Sequence, residues 1–545
     1  MYRFTNRPWL IHLTLAALAL TTGAEARGAD APTVDPDAGH VYYSVLKLQA
    51  NRAIAGIVNT SITPIAFPAQ GDFHWVYQND DGNFNKATYN YISARVSPSD
   101  IAGVAQLSDA GGFPNAYDRV INSLSFDLSP QDQAVVNRAK DQASVQAQSV
   151  IATYQGIFGQ ITEQDMREAR DAVGPSNAAN KMDYILNFIM GYVWSGRQQR
   201  HMPPLSWAEM QRARSLRALL PNLPPSGEPV LSTVTGYLNI LGPSVSLQDL
   251  RELGNWIGEQ LKFNTANPDQ ANDGMKTVDP NTGSVSERHN TVGYAIPVST
   301  AKIRNDLDND GRSFALSMEV SQAERSEVRV HVDGSAGFTV NSFLRYSRSQ
   351  SFDYDMTRIR GASSDASVTV EYPGFTFIPI QVTAWQQAAN VGWYNGQPIA
   401  EAYANRENPK TGFNFVTQPP FNLRPLSEGG NFGRLTGLLI SRYPTIKIHF
   451  RNANFEEFKE SFQQNASGNL TLFGFINLGS SREGTYQSQY EAGRSNSEFT
   501  VTFKESDAVL SQAPLQKTAF VIGGVFNFPA VDRNTSFVED LLQSY

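Results

Sequence analysis

The sequence predicts an α+β protein, in which a helical layer over about residues 128–263 precedes a β-rich, mainly antiparallel sandwich or open barrel over about residues 291–528. Three observations predict this order. Helix-start signals recur in the first region, a segment rich in Asn, Asp, Pro and Gly covers residues 264–290, and apolar residues alternate with polar ones beyond it. We therefore divide the chain into a signal peptide (1–26), an N-terminal mixed α/β segment (27–127), the helical region (128–263), a linker (264–290) and a β-rich C-terminal domain (291–545).

The first 26 residues have the pattern of a cleavable secretory signal. Arg3 and Arg7 precede an apolar run over 9–20, and the small-x-small motif Ala24-Glu25-Ala26 follows it. The alternative is a membrane anchor, but the run is shorter than the roughly 20 residues of a spanning helix. We expect export, with cleavage near Ala26 and a periplasmic or extracellular location.

The N-terminal segment combines a helical pattern with a pattern of strands. Apolar residues recur at helical spacing over 40–59. Two aromatic runs, 73–79 and 88–96, flank a turn that contains Asp81-Gly82, a pair typical of hairpins. We expect a helix followed by a two-stranded hairpin.

A hydroxyl residue three positions before a carboxylate marks each of four predicted helix starts. The pairs are Ser129 and Asp132, Thr162 and Asp165, Ser206 and Glu209, and Ser246 and Asp249. In each pair the hydroxyl can accept a hydrogen bond from a free backbone N–H, and the carboxylate lies at the positive end of the helix. Gly174-Pro175 and Gly242-Pro243 are typical of helix ends.

The predicted helix over 178–195 is apolar almost all round, which is typical of a buried helix. The alternative is a segment that leaves a soluble fold and enters a membrane. Because the segment is shorter than a spanning helix, we favour the central helix of the helical layer.

Alternation of apolar and polar residues predicts the strands of the C-terminal half. The pattern covers 314–320, 328–332, 446–450 and 499–503, and it is typical of antiparallel strands with one face in the core. The segment 468–503 reads as two strands, 470–478 and 499–503, around a polar link. A solvent-facing hairpin is favoured over a membrane hairpin, because a membrane hairpin would have to close a barrel by oligomerising.

Composition excludes several classes of function. The chain has no Cys, and so no disulfide, thiol nucleophile or thiolate metal site. The net charge is −8, and Lys and Arg are scattered along the sequence. This pattern argues against a nucleic-acid partner, which requires a basic stripe.

Asp306, Asp308 and Asp310, followed by Gly311, form the sharpest local motif. Three acids at alternate positions before Gly are similar to the first half of a calcium loop. The twelfth position of the motif is Ser317 instead of a bidentate Glu. Two interpretations remain, a calcium site and a solvated acidic hairpin turn, and the missing Glu favours the turn.

Trp385, Trp393 and Tyr394 form a candidate ligand site among Gln and Asn residues. Aromatic faces beside amide groups suit a sugar ring or a lipid headgroup. The alternative, which we favour, is that these aromatic side chains fill the core.

Sequence motifs of enzymes are absent: there is no G-x-S-x-G, H-E-x-x-H, P-loop or dinucleotide motif. We therefore predict a secreted, non-catalytic binding or surface-interacting protein with a carbohydrate, lipid or cell-surface ligand. A pore-forming toxin that acts as a homo-oligomer at a membrane surface is the first alternative. A hydrolase that uses two carboxylates distant in sequence is the second.

Overall fold

The chain has an α+β fold with a helical region followed by antiparallel sheets, as the sequence predicts. The computed structural model describes residues 36–66, 72–74, 84, 86–108, 112–176, 178–189, 225–266, 276–278, 285–287, 293–309, 311–324, 327–332, 337–340, 343–346, 353–354, 365–382, 393–407, 409–464, 470–479, 486–493, 497–505 and 518–529. Helices α1 to α10 in these ranges are Pro36–Ile54, Lys86–Ile92, Gly112–Ile121, Pro130–Phe158, Glu163–Val173, Lys181–Ile189, Glu228–Ala266, Thr300–Asn309, Gln397–Ala404 and Phe455–Gln464. Strands β1 to β24 are Thr63–Pro64, Asp72–His74, Arg95–Pro98, Ala105–Ser108, Leu124–Asp127, Lys276–Val278, Val285–Glu287, Tyr294–Ala295, Ser313–Glu324, Glu327–Val332, Phe338–Val340, Leu344–Tyr346, Asp353–Tyr354, Asp365–Pro373, Phe375–Pro379, Gln381–Val382, Gly412–Phe415, Gly433–Ser441, Thr445–Arg451, Leu470–Leu472, Ile476–Gly479, Tyr486–Ala492, Glu498–Glu505 and Thr518–Asn527.

Two of the predicted helix starts are confirmed by their side-chain caps. The Ser129 hydroxyl accepts a hydrogen bond from the Asp132 N–H at 3.0 Å, and α4 begins there. At α5 the Thr162 hydroxyl accepts from the Asp165 N–H, while the Asp165 carboxylate accepts from the Thr162 N–H at 2.8 Å. Gly174 ends α5 with a φ of 89°, in the left-handed region that favours glycine. The pair at 206 and 209 lies outside the described residues.

The predicted helix end at Gly242-Pro243 and the predicted start at Ser246 were wrong. Helix α7 runs without a break from Glu228 to Ala266, with Pro243 inside it. The Ser246 hydroxyl donates to the Gly242 carbonyl at 3.5 Å, as a residue within a helix does. Proline removes one backbone hydrogen bond, and tertiary packing outweighs this loss because the two halves of α7 are buried in different cores.

The apolar helix α6 is an interior helix among the described residues. The side chains of 184–189 are all buried, in a core that α4, α5 and the first half of α7 complete. This placement agrees with the central-helix interpretation for 181–189, and the remainder of 178–195 after Ile189 lies outside the described residues. Within the described ranges, no helix combines the length and the apolar character needed to cross a membrane.

Residues 86–92 form helix α2, so the prediction of a strand over 88–96 was wrong in its first half. Tyr89 and Ile92 are buried three residues apart, whereas Tyr91 is only partly buried. This spacing suits a helix with one face against the core, which the repeated tyrosines obscured in the sequence. Strand β3 follows at Arg95, and the predicted turn at 80–83 lies outside the described residues.

The central sheet joins the N-terminal segment to the C-terminal half. Its seven described strands have the order β1-β24-β18-β3-β4, with β2 also paired to β24 and β15 to β18. Both faces of this sheet are buried: Leu439 and Phe520 belong to one core, and Leu438 and Val521 belong to another. Neighbouring residues of one strand point to opposite faces, so the sheet separates two hydrophobic cores.

The outer sheet contains the strands whose alternation the sequence predicts. It has the order β11-β10-β9-β14-β19-β23-β22 and is antiparallel throughout. Val330, Ile448 and Val501 are buried on its inner face, whereas Arg329 and His331 are exposed. The inner face packs against α1 and one face of the central sheet, so the two sheets stack as in a sandwich.

The segment 470–478 is not one strand, as predicted, but a tight hairpin of β20 and β21. Phe473 and Gly474 turn the chain with φ angles of 58° and 79°. The strands have 3 and 4 residues, well short of the roughly 9–11 residues of a strand that spans a membrane. The predicted polar link after 480 contains strand β22, which pairs with β23. Within the predicted linker 264–290, β6 and β7 pair as a hairpin.

Candidate functional site

The predicted aromatic site is divided between the interior and the surface. Trp393 is 0 % exposed, and its indole N–H donates to the Gly293 carbonyl at 3.0 Å. Its ring packs against Tyr117, Tyr294 and Tyr394 with centroid distances of 5.6–5.9 Å. Trp393 therefore fills the core, whereas Tyr394 is only partly buried. Trp385 lies outside the described residues.

The predicted acidic loop is the last part of a helix, so the loop expected at 306–308 was wrong. The Ser299 hydroxyl accepts from the Lys302 N–H at 3.2 Å and caps α8, which runs to Asn309. The Asp306 carboxylate accepts from Lys302 at 2.8 Å and from the Thr376 hydroxyl at 2.9 Å.

Asp308 forms a separate ion pair: its carboxylate lies 2.6 Å from the guanidinium of Arg442. Asp310 lies outside the described residues. No group of three or more His, Asp or Glu side chains in the described ranges could hold a metal ion. The two described acids of the motif are thus used in separate ion pairs.

Three arginines lie near one another, and one of them, Arg434, contacts the ring of Tyr394. Arg95 on β3 lies directly opposite Arg434 on β18 in the antiparallel register, which places both side chains on the same face. Arg119, in α3, is close enough to Arg95 to lower its pKa. Like charges in such positions repel, so this arrangement has a cost in folding stability.

Aromatic rings contact each of these arginines. The guanidinium carbons of Arg95 and Arg119 lie 4.9 and 5.0 Å from the centroid of the Phe421 ring. The guanidinium carbon of Arg434 lies 4.7 Å from the centroid of the Tyr394 ring. Cations near aromatic faces are favourable by about 0.5–2 kcal/mol, more when water is excluded. We use the name arginine–aromatic cluster for Arg95, Arg119, Arg434, Tyr294, Tyr394 and Phe421.

The cluster extends from the surface to the interior. Arg119 is exposed, Arg95, Phe421 and Tyr394 are half-buried, and Arg434 is 9 % exposed. Burial, and then the charge of Arg119, lowers the pKa of Arg95. A positive group that loses solvent in this way gains most from an anion.

No carboxylate forms an ion pair with these three arginines in the part of the chain that the structure describes. Arg95 donates to the Asn431 carbonyl and, at 3.5 Å, to the Ser108 hydroxyl. These acceptors are neutral and leave its charge uncompensated. By contrast Arg451, on the outer sheet, pairs with Glu319 at 3.0 Å.

Tyr294 lies at the inner end of the cluster. Its ring packs against Trp393, and its hydroxyl is buried without a hydrogen-bond partner in the described ranges. Burial raises the pKa of Tyr294, while the charge of Arg434 acts in the opposite direction. The tyrosine hydroxyl thus stays protonated and can donate a hydrogen bond.

Comparisons with protein families, curated proteins and solved structures found no match for this chain.

Of the predicted site residues that the structure describes, Tyr394 belongs to the cluster, and Trp393 packs against it. The arginines were missed because Arg95 and Arg119 lie more than 300 positions before Arg434 in the chain. A signal was nevertheless present, since Arg95 stands between the apolar residues Ala94 and Val96 in the sequence. A charged residue in an apolar run requires a partner or a function.

Proposed function

We propose that this protein is exported and binds an anionic ligand, without catalysis, at the arginine–aromatic cluster. The observation that carries this proposal is a set of three neighbouring arginines with no acidic partner in the described residues. Anions offset such charge with short, charge-assisted hydrogen bonds, and the planar guanidinium suits carboxylate and phosphate groups.

The aromatic rings beside the arginines favour a ligand that is larger than a simple anion. Phe421 and Tyr394 are half-buried beside the guanidiniums, so each can offer part of a ring face or edge to the body of a ligand. A carbohydrate or a lipid headgroup that bears a carboxylate or a phosphate combines both features. The ligand classes expected from the sequence are thereby narrowed to their anionic members.

Binding of anionic and neutral partners to the full mature chain tests this function. Galacturonate oligomers and vesicles of phosphatidylglycerol represent the two sources of negative charge, and neutral galactose oligomers and phosphatidylcholine vesicles are their controls. We expect one anionic partner to bind, with an affinity that falls as NaCl rises from about 0.05 to 0.5 M. Equal binding of charged and neutral partners, or no binding of any of them, would contradict the proposal.

Two arginine variants connect binding to the cluster. Arg434→Met should abolish anion binding and raise the free energy of unfolding by about 1–3 kcal/mol, because an apolar side chain replaces an unpaired buried charge. Arg451→Met, which removes an arginine from an exposed ion pair on the outer sheet, should leave binding unchanged. Calorimetric titration and denaturant unfolding measure the two effects.

Export is tested separately from binding. We expect protein recovered outside the cytoplasm to begin at Arg27, after cleavage of the segment that carries Arg3 and Arg7. Mass spectrometry of the mature N-terminus checks this expectation. Soluble cytoplasmic protein with an intact Met1 would disprove it.

A further inference from the structure

The inner end of the arginine–aromatic cluster has hydrogen-bond donors that the fold does not use. Tyr294 is 1 % exposed and Arg434 is 9 % exposed. The Tyr294 hydroxyl and the Arg434 Nε atom are both buried, and neither has a hydrogen-bond partner within the described ranges. The contact described for the Arg434 guanidinium is with the ring of Tyr394.

Buried donors without a hydrogen-bond partner lower the stability of the folded protein. A buried polar group without a partner loses its hydration, and a buried charge loses far more. Tyr117 shows that the same aromatic layer can satisfy a hydroxyl. Its O–H group donates to the Asn395 carbonyl at 2.7 Å, and its oxygen accepts from the Asn395 N–H at 2.8 Å. The unsatisfied donors of Tyr294 and Arg434 are thus a local feature of this end of the cluster.

The two donors adjoin the same group of aromatic rings. Tyr294 and Tyr394 both pack against Trp393, with centroid distances of 5.8 and 5.9 Å, and Arg434 lies on Tyr394. The charge of Arg434 also acts on the Tyr294 hydroxyl. Both donors therefore border the aromatic group formed by Trp393 and Tyr394.

We infer that Tyr294 and Arg434 together bind one carboxylate group of the ligand, with the tyrosine hydroxyl and the guanidinium N–H groups donating to its oxygens. This inference rests on the proposed function and specifies the ligand class. A carboxylate carries one negative charge, which matches the charge of Arg434 at the buried end of the cluster, whereas Arg95 and Arg119 lie nearer to the surface, where water hydrates their charges. A phosphate monoester carries about 1.5–2 negative charges at pH 7 and would leave net charge in a buried site.

The Tyr294→Phe variant tests this inference because it removes one oxygen and nothing else. Acetate, benzoate and galacturonate serve as monocarboxylate probes, and inorganic phosphate at pH 8 serves as the doubly charged probe. We expect at least one monocarboxylate to bind the wild-type chain, phosphate to bind it at least about tenfold more weakly, and Tyr294→Phe to lose about 10- to 100-fold in carboxylate affinity. The variant should fold, since the hydroxyl that it lacks has no hydrogen-bond partner among the described residues.

The outcomes separate the inference from the proposed function. If an anion binds and Arg434→Met abolishes its binding, but Tyr294→Phe binds as tightly as wild type, the carboxylate site at Tyr294 is wrong and the proposed function stands. If phosphate binds more tightly than every carboxylate, the ligand class is wrong. If neither these small anions nor the galacturonate oligomers and vesicles bind, both the inference and the proposed function fail.

Discussion

Gly293→Ala is expected to lower the free energy of unfolding by roughly 2–5 kcal/mol and to disturb the inner end of the arginine–aromatic cluster. Gly293 has a φ of 68°, a conformation that strains an L residue with a side chain. A β-carbon at this position would overlap the indole ring of Trp393. The Trp393 ring could move away only by breaking its hydrogen bond to the Gly293 carbonyl and by shifting the rings of Tyr294 and Tyr394.

Gly156→Ala is the matched control for this variant. Gly156 lies in α4, has no atom near the position of an added β-carbon, and has no positive φ. Because alanine favours the helix, the same substitution there should raise stability by about 0.5–1 kcal/mol. Denaturant unfolding followed by tryptophan fluorescence measures both variants. A Gly293→Ala protein as stable as wild type would show that Trp393 is not held as the structure describes.

The parts of the fold that sequence predicts well are those set by local chemistry. The caps at Ser129 and Thr162 each depend on residues at most three positions apart. The alternation over 328–332 and 446–450 depends on the two faces of a strand and on nothing further away. In each case the residues that determine the structure belong to one helix or strand, so the sequence alone is enough to predict it.

The predictions that were wrong concern effects that act between elements. Pro243 ends a helix in isolation, but in α7 the packing of Leu241 on one side and Leu250 on the other keeps the helix continuous. The acids of the expected calcium loop are held apart by partners from elsewhere, since Asp306 accepts from Thr376 and Asp308 pairs with Arg442. Local spacing contains no information on such partners.

The candidate site could be predicted only in part for the same reason. Tyr394 was found because it adjoins other aromatic residues in the sequence. The arginines of the cluster come from β3, α3 and β18, which lie far apart in the sequence and meet only in the folded chain. Among the described residues, this cluster keeps both an unpaired charge and an unsatisfied hydroxyl. Such groups lower the free energy of unfolding, and the proposed binding function would account for their presence.

Raising the pH from 10 to 12 is expected to destabilise the protein by several kcal/mol, because buried tyrosines resist ionisation. Burial raises the pKa of Tyr42 from 10.0 to about 12, and it also raises the pKa of Tyr117 and of Tyr294. Below pH 10 each of these tyrosines is protonated in both the folded and the unfolded chain, so its effect on stability does not depend on pH. Between pH 10 and 12 the unfolded chain releases these protons while the folded chain keeps them, which costs about 1.4 kcal/mol per pH unit for each residue.

Denaturant unfolding at half-unit pH steps measures this loss, and single variants assign it. Above pH 10, Tyr294→Phe should reduce the loss of unfolding free energy with pH by the contribution of one tyrosine, about 1.4 kcal/mol per pH unit. It should not lower stability at pH 8, because the Tyr294 hydroxyl has no partner in the described residues. Tyr42→Phe should reduce the slope equally but cost about 1 kcal/mol at pH 8, since its hydroxyl is hydrogen-bonded to that of Tyr372 at 3.2 Å. If both variants keep the wild-type slope above pH 10, these hydroxyls ionise in the folded protein and are not buried as described. If Tyr294→Phe is instead clearly destabilised at pH 8, its hydroxyl has a partner, and the donor available for a carboxylate does not exist.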